Sequence, residues 1–164
     1  MARRVIKVDE PESWGTGSVF DRVRRPIKWL GERRLQPVRQ HEGDAGFDLI
    51  CAESWTIAPG EFVDIDCGIR LELPDGVWAM ITGRSSTLRR RNLLVNQAII
   101  DNGYRGPMFC GVWNLGREVV GVEKGERLAQ LIPLPLVAAQ LVPVQVRELG
   151  LSDRGTDGFG STGP

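Results

Sequence analysis

The sequence predicts an all-β fold, a sandwich or jelly-roll barrel, with one short helix and a glycine-rich C-terminal tail. Short runs of β-forming residues recur about every 8–12 residues, which is the spacing of strands in such folds. The segments between these runs are rich in turn-forming residues, and the chain of 164 residues contains 20 glycines and 10 prolines. Only one segment has a helical pattern.

The predicted strands follow one another from residue 27 to residue 146. A charged bend at Gly31-Glu32-Arg33-Arg34 interrupts the first, and turn segments such as Pro74-Asp75-Gly76 separate later ones. The strands are expected at Ile27–Val38, Asp44–Ile50, Ser54–Ile57, Glu61–Asp66, Ile69–Leu73, Val77–Ile81, Leu93–Ile100, Tyr104–Trp113, Val119–Val122, Leu128–Leu134 and Ala139–Val146.

The single helix is predicted from Ser85 to Arg91. A serine suits the N-cap position, because its hydroxyl can accept a hydrogen bond from a free N–H group of the first turn. Leu88 is expected to face the core, while the three arginines that follow it take the solvent side.

Asn102-Gly103 predicts a tight β-hairpin of type I′, because both central residues of that turn need positive φ. Such a hairpin would hold Asp101 and Tyr104, the only tyrosine of the chain, on either side of its mouth. A carboxylate and an aromatic ring would then lie within reach of one ligand. From these residues alone, a plain surface turn is the alternative.

Composition is typical of one globular domain, with 41% hydrophobic residues, 26% charged residues and a formal net charge of zero. No stretch approaches the roughly 18 apolar residues of a membrane span, so no membrane association is expected. Three widely spaced cysteines without a Cys-x-x-Cys pair indicate reduced core residues of a cytoplasmic protein. Residues 1–40 carry ten Lys/Arg against five Asp/Glu. Such segments are usually solvated, so nucleic acid is not an expected partner.

Two segments and a single glutamine carry groups suited to phosphate and metal. Gly83-Arg84-Ser85-Ser86 opens the helix, where free N–H groups, a guanidinium and hydroxyls suit an oligophosphate. Asp44-Ala45-Gly46-Phe47-Asp48-Leu49 contributes two carboxylates, which near an oligophosphate usually serve Mg²⁺. Gln130 interrupts an apolar strand. An N-cap and a solvated turn are the simpler interpretations of the two segments.

The C-terminal tail, residues 154–163, combines glycines with an arginine, one phenylalanine and a Ser-Thr pair. Glycines let backbone amides approach a phosphate closely. Phe159 has no hydrophobic neighbours in the sequence, so stacking is its expected use. An unstructured terminus is the alternative.

Taken together, five segments resemble, in order, the five motifs of the trimeric dUTP diphosphatases (dUTPases). They are Asp44–Leu49, Gly83–Ser86, Ile99–Gly106 with Trp113-Asn114, Gly125–Leu131 and Arg154–Gly163. The resemblance implies a jelly-roll (β-clip) homotrimer with active sites between subunits, each closed by a C-terminal arm. It divides the chain into an N-terminal extension of unassigned role at 1–25, a β domain at 26–150 and the arm at 151–164.

The resemblance also implies an activity: hydrolysis of dUTP to dUMP and pyrophosphate with Mg²⁺, which keeps uracil out of DNA and supplies dUMP for dTMP synthesis. Asp101 would orient and activate the water that attacks the α-phosphorus. Tyr104 would pack under the deoxyribose. The hairpin backbone from Ala98 through Ile100 to Tyr104 would read the edge of uracil.

The remaining roles that the resemblance implies concern phosphate, metal and closure. Arg84, Ser85, Ser86 and Gln130 would bind phosphates or the attacking water, and Asp48 would hold Mg²⁺ through water. In the arm, Arg154 would bind the γ-phosphate, Phe159 would stack on uracil, and Gly160, Ser161 and Thr162 would close over the phosphates.

Two alternatives stay open at this point. The dCTP deaminases share the fold and the Gly-Arg-Ser-Ser motif, and Arg89 matches an arginine of that branch, but deamination there needs a Glu where this chain has Gly111. A dUTPase fold with an added partner-binding role predicts damaged motifs, whereas all five are intact. One departure is Ala98, which stands where many dUTPases have Gly.

Overall fold

The computed structural model describes residues 26–137, 141 and 143–145 of the chain. Within them the chain forms strands that pair antiparallel, one α-helix and one 3-10 turn at Arg33–Leu35. The elements are β1 Lys28–Gly31, β2 Phe47–Ile50, β3 Trp55–Ile57, β4 Phe62–Glu72, β5 Val77–Gly83, α1 Ser85–Arg91, β6 Leu93–Val95, β7 Ala98–Ile100, β8 Pro107–Asn114, β9 Val120–Val122 and β10 Arg127–Pro135.

Two four-stranded sheets enclose the core, in the orders β1-β4-β8-β6 and β2-β10-β5-β7, and a two-stranded sheet of β3 and β9 adjoins them. Alternate residues of β4 and β8 point inward and are buried, as the period of two in a β-strand requires. The predicted all-β jelly roll is confirmed. Cys51, Cys67 and Cys110 are free and buried, as expected. Within the described residues, no helix is long and apolar enough to cross a membrane.

Several predicted strands have other bounds. Glu61–Asp66 and Ile69–Leu73 are parts of one strand, β4, because Gly68 takes φ +64° and lets the chain continue through an irregularity. The run Leu93–Ile100 is two strands in different sheets, β6 and β7. Of the run 139–146 the structure describes only 141 and 143–145, which are not in a strand.

The predicted hairpin at Asn102-Gly103 is wrong. Strand β7 pairs with β5 and strand β8 pairs with β4 and β6, so the two strands beside the turn belong to opposite sheets. Neither central residue has positive φ, and the Tyr104 N–H donates to the Asp101 carbonyl over 3.0 Å. The segment is therefore a tight turn that carries the chain from one sheet to the other. This geometry does not need the mirror-image turn that a hairpin favours.

Helix α1 has the predicted bounds, but its cap and its buried face differ from the prediction. The N-cap residue is Arg84, not Ser85, and it makes no side-chain capping bond. Thr87 is the buried residue of the helix at 3% exposure, whereas Leu88 is 45% exposed. The Thr87 hydroxyl donates to the Leu128 carbonyl over 2.7 Å, and this bond explains how a polar residue can replace the expected leucine.

Candidate active site

A polar cavity of about 230 Å³ brings together three segments that are far apart in the sequence. Its lining includes Asp44, Asp48, Arg84, Ser85 and Gln130. Sheet pairing explains the meeting, because Gln130 on β10 lies opposite Asp48 on β2 and opposite Thr82 near the end of β5. Residues directly opposite each other in neighbouring strands share one face of the sheet.

Charge in this cavity centres on Asp48, which is 8% exposed. Its Oδ1 lies 2.8 Å from Arg84 Nε, and its Oδ2 lies 3.2 Å from Arg127 Nη1. Two guanidinium groups therefore share one carboxylate, and the Arg84 guanidinium lines the cavity beside the carboxylates of Asp44 and Asp48. A guanidinium can bind a phosphate, and the carboxylates can hold a hydrated cation next to it.

Gln130 is fixed by the loop that precedes the helix. Its amide nitrogen donates to the Gly83 carbonyl over 3.1 Å. A Cβ added at Gly46 would lie 3.1 Å from Gln130 Oε1, so a glycine allows this close approach. Ser86, although predicted to bind phosphate, is not among the residues lining this cavity.

A larger cavity of about 500 Å³ lies on the other side of the Gly83–Ser85 segment. Helix α1 and strand β6 form its walls, with Leu88, Arg89, Leu94 and Asn96 in the lining. Arg84 and Ser85 line both cavities. The same two residues can therefore contact groups that enter from either side.

Hydrogen bonds of Asn102 and Arg105 hold the turn that carries Asp101. The Asn102 amide donates to the carbonyls of Pro74 and Val77, both over 2.8 Å, which ties the turn to the β4–β5 connection. The Arg105 guanidinium donates to the Asn102 carbonyl over 2.9 Å. The Asp101 side chain is left exposed on a fixed backbone.

Within one chain, Asp101 does not reach the 230 Å³ cavity lined by Asp48, Arg84 and Gln130. Ile100 pairs with Ala79 on β5, and Arg84 follows five residues later along the same strand direction. At about 3.3 Å per residue, Ala79 and Arg84 lie roughly 16 Å apart, and Asp101 is one residue further from Arg84 because β7 runs antiparallel to β5. Asp101, Ala98, Ile100 and Tyr104 do not line the 230 Å³ cavity.

Strand β7 is an edge of its sheet, since among the described strands it pairs only with β5. Part of its backbone N–H and C=O groups therefore have no partner within the sheet. Tyr104 lies close by with a 41% exposed ring, and its hydroxyl donates to the Pro107 carbonyl over 3.0 Å. The edge of Ala98–Ile100 offers backbone hydrogen-bonding groups, and Tyr104 offers an exposed ring four residues further along the chain.

Sequence reasoning missed Arg127, Asn102 and Thr87, three residues that hold the site in place. Each contacts a distant part of the chain. Arg127 pairs with Asp48, the Asn102 amide donates to the carbonyls of Pro74 and Val77, and the Thr87 hydroxyl donates to the Leu128 carbonyl. A sequence pattern carries no signal for such contacts. The predicted residues of the arm, from Arg154 to Thr162, lie outside the described residues.

The ring of Phe62 lies against the place that a deaminase would need for its glutamate. Gly111 lies opposite Asp64 on β4, and a Cβ added to it would lie 2.8 Å from the ring of Phe62. A longer side chain would have to displace that ring. The structure therefore does not favour the dCTP deaminase alternative.

Comparisons with known proteins agree with this geometry. The sequence model of the dUTPase family matches residues 35–163. The deoxyuridine 5'-triphosphate nucleotidohydrolase of Clostridium acetobutylicum is 38% identical over 86% of this chain and 97% of its own length. That of Gloeobacter violaceus is 40% identical over 88% and 99%. A solved dUTPase of Staphylococcus bacteriophage 80alpha with dUPNHPP has a TM-score of 0.76 and 27% identity, covering 86% of this chain and 100% of that one.

Proposed function

The chain belongs to the dUTPase family and is a dUTP nucleotidohydrolase, and from this premise we propose how its residues divide the work of releasing dUMP and pyrophosphate. The observation that carries the proposal is the meeting of Asp48, Arg84, Ser85 and Gln130 in one cavity. Three of the five predicted motifs contribute to it. The Arg84 guanidinium suits a phosphate, and the carboxylates of Asp44 and Asp48 suit the Mg²⁺ that would accompany a triphosphate.

In this proposal the phosphates bind to Arg84, Ser85 and Gln130. Ser86 follows Ser85 in the same helical turn and also binds a phosphate. The guanidinium neutralises charge that develops on the phosphate oxygens during the attack on the α-phosphorus. The first N–H groups of a helix have no partner within it and add donors. Charge neutralisation and positioning are the main contributions a protein makes to phosphoryl chemistry.

Asp101 positions the attacking water and accepts its proton. His41, the only histidine of the chain, lies outside the five segments, so a carboxylate is the available base. The double hydrogen bond from Asn102 to Pro74 and Val77 keeps the backbone of this turn in one place. A fixed backbone lets the carboxylate hold a water in line with the leaving group.

A homotrimer completes the site in our proposal. The offset along β5, which separates Asp101 from Arg84 by more than roughly 16 Å in one chain, supports a site to which a second copy supplies one of them. An exposed apolar face of the sheet β1-β4-β8-β6 supports contact between copies. Its side chains are 39–43% exposed, and the Phe62 and Trp113 rings lie 5.3 Å apart; the patch consists of Phe62, Leu94, Phe109 and Trp113.

Uracil is recognised by backbone groups on the free edge of β7, from Ala98 through Ile100 and the turn to Tyr104. This edge can pair with the base much as one strand pairs with another. Tyr104 packs under the deoxyribose. Because these contacts use the backbone, the recognition does not depend on the type I′ hairpin that the sequence predicted.

Mg²⁺ is the proposed cofactor, and the residues present fit it as a hydrated ion. Asp44 and Asp48 offer oxygen atoms to the cavity, and each oxygen of Asp48 has a second lone pair beside the one that a guanidinium uses. No group of three His, Cys, Asp or Glu in the described part of the chain is arranged to hold a metal directly. When bound, the ion would neutralise phosphate charge.

The C-terminal arm closes the site in this proposal: Arg154 binds the γ-phosphate, Phe159 stacks on uracil, and Gly160, Ser161 and Thr162 cover the phosphates. The division into an extension at 1–25, a β domain at 26–150 and an arm at 151–164 belongs to the same proposal, as does the cytoplasmic location.

Product analysis tests the proposed function. The full chain is incubated with dUTP, dCTP or dTTP in the presence of Mg²⁺, and the products are separated by ion-exchange chromatography. We expect dUMP and pyrophosphate in equal amounts from dUTP, and neither dCTP nor dTTP to be consumed at a comparable rate. Formation of dUTP or dUMP from dCTP, or no turnover of dUTP, would overturn the proposal.

A further inference from the structure

Strand β10 contains a β-bulge at Leu128. At this point β10 advances by two residues while its partner β2 advances by one. In a regular strand Arg127 and Gln130 would point to opposite faces, because they are three residues apart. With the bulge, Arg127 lies opposite Ile50 and Gln130 opposite Asp48, so both face the same side. The bulge therefore places Arg127 on the face of the sheet that carries the 230 Å³ cavity.

The same bulge supplies the carbonyl groups that hold Arg84. The Leu128 carbonyl accepts hydrogen bonds from the Arg84 N–H over 3.1 Å and from the Thr87 hydroxyl over 2.7 Å. The Arg127 carbonyl accepts a hydrogen bond from Arg84 Nη1 over 3.2 Å. Backbone and side chain of Arg84 are thus both fixed to two consecutive residues of β10.

Asp48 completes this arrangement from the neighbouring strand. One oxygen of Asp48 forms an ion pair with Arg84 Nε, and the other accepts a hydrogen bond from Arg127 Nη1. Its side chain is 12% exposed, so neither ion pair is fully screened by water. If the Arg127 side chain were removed, the carboxylate would keep only one partner and could rotate. The Arg84 guanidinium would keep its hydrogen bond from Nη1 to the Arg127 carbonyl but would lose the fixed carboxylate that orients Nε.

On the basis of the proposed function, we propose that Arg127 is a positioning residue for dUTP hydrolysis, which acts through Asp48 to orient the Arg84 guanidinium toward the phosphates. Arg127 itself does not line the 230 Å³ cavity. Its effect on the reaction therefore passes through Arg84. A displacement of about 1 Å at a group that contacts the reacting atoms can cost up to about 100-fold in rate.

Variants at Arg127 and Arg84 test the proposal. R127M removes the charge while keeping most of the apolar stem, and R127K keeps the charge with a single ammonium group. R84M removes the proposed phosphate contact, and the double variant R84M/R127M completes a cycle. R91M is the matched control, because Arg91 forms a comparable ion pair of 2.7 Å with Glu126, the residue before Arg127, and does not touch Asp48.

The measurements are kcat and KM for dUTP and the melting temperature. Calorimetry gives the dissociation constant of dUpNHpp, the nucleotide present in the solved phage dUTPase structure. We expect R127M to weaken dUpNHpp binding and kcat/KM by about tenfold, with R127K in between. R91M should lower the melting temperature by a similar amount while changing kcat/KM less than about twofold. In the double-mutant cycle, adding R127M to R84M should lower kcat/KM by less than about a further twofold.

Two results would overturn the positioning role. If R127M reduces kcat/KM by the same factor in the R84M background as in the wild type, Arg127 contacts the phosphates directly. If R127M and R91M have equal effects on kcat/KM, Arg127 only supports the fold. Failure of the wild-type protein to hydrolyse dUTP or bind dUpNHpp would instead overturn the proposed function, so the two failures are distinguishable.

Discussion

Within one chain Asp101 follows the end of β7 that pairs with Ala79, whereas Arg84 follows the C-terminal end of β5, which places the two residues more than roughly 16 Å apart along the sheet. If both act on one substrate molecule, they come from different copies. Inactive variants D101A and R84A should therefore complement each other when they are unfolded together and refolded into mixed copies of the proposed trimer. At each site the copy that supplies Asp101 carries it intact in about half of cases, and so does the copy that supplies Arg84. We therefore expect about a quarter of the sites, and about a quarter of the wild-type activity, to return.

The control for this mixing experiment is D101A refolded with D101N, in which no site regains Asp101. It should stay inactive under the same conditions. Recovery in the control, or no recovery with R84A, would contradict a site shared between copies. Activity is measured as pyrophosphate release from dUTP.

Replacing Asp101 by Asn should keep the shape of the side chain and the binding of dUpNHpp while lowering kcat by about 10²–10⁴-fold, the usual range for loss of a general base. Stopped-flow turnover of dUTP and calorimetric binding measure the two quantities separately. A loss below about tenfold would mean that another group serves the water. The melting temperature is the control for folding, because Asp101 is exposed.

Removing the Asn102 side chain should damage catalysis through the backbone of the turn. Asn102→Ala loses both hydrogen bonds to Pro74 and Val77, which leaves two carbonyls without this donor. We expect the free energy of unfolding to fall by about 1–3 kcal/mol and kcat to fall more than KM rises. Urea unfolding and steady-state kinetics measure these effects. An unchanged kcat would show that Asp101 needs no such support.

Deleting residues 154–164 should leave a folded protein with nearly the same melting temperature, since this segment carries little apolar surface. Its kcat/KM for dUTP should fall by at least ~100-fold, because one charged contact and one stacking contact are lost together. Phe159→Ala should lose a smaller part. Near-normal turnover by the truncated protein would contradict closure by the arm.

The buried thiols predict a loss of stability at alkaline pH. Burial raises the pKa of Cys51 from 9.0 to about 11 and that of Cys110 to about 12. Between pH 9.0 and about 11 these thiols ionise only in the unfolded chain, which then binds fewer protons than the folded one. The free energy of unfolding must fall as pH rises, by at most about 1.4 kcal/mol per pH unit for each thiol.

Urea unfolding at several pH values across this range measures the slope. Cys51→Ala should give a shallower slope than the wild type, whatever its effect on stability at neutral pH. Leu49→Ala, a substitution at a buried position that does not titrate, is the control and should keep the wild-type slope. Equal slopes for all three proteins would contradict the thiol origin of the effect.

Local sequence patterns were enough where the structure depends on neighbouring residues. The bounds of α1, from Ser85 to Arg91, follow from its local composition, and the alternation of β4 follows from its apolar spacing. Three parts of the cavity were also predicted, since the motifs around Asp48, Arg84 and Gln130 do meet. Their meeting was expected from a family resemblance, not from the pattern of any one segment.

Local patterns failed where a distant contact decides the outcome. Asn102-Gly103 has the composition of a hairpin turn, yet its flanking strands pair with β5 on one side and with β4 and β6 on the other. Thr87 replaces Leu88 as the buried residue of α1 because the Leu128 carbonyl lies beside it. The bulge at Leu128 depends on how β10 pairs with β2, which no single segment encodes.

The free edge of β7 also bears on how the chain behaves before it assembles. Ile99 in this strand is 59% exposed, next to backbone groups that no described strand pairs. An apolar, unpaired edge is a template on which another chain can add as a strand and start aggregation. The backbone that we assign to uracil recognition is thus also an edge at which newly made chains can aggregate. A nucleotide bound there would cover this edge and oppose the aggregation.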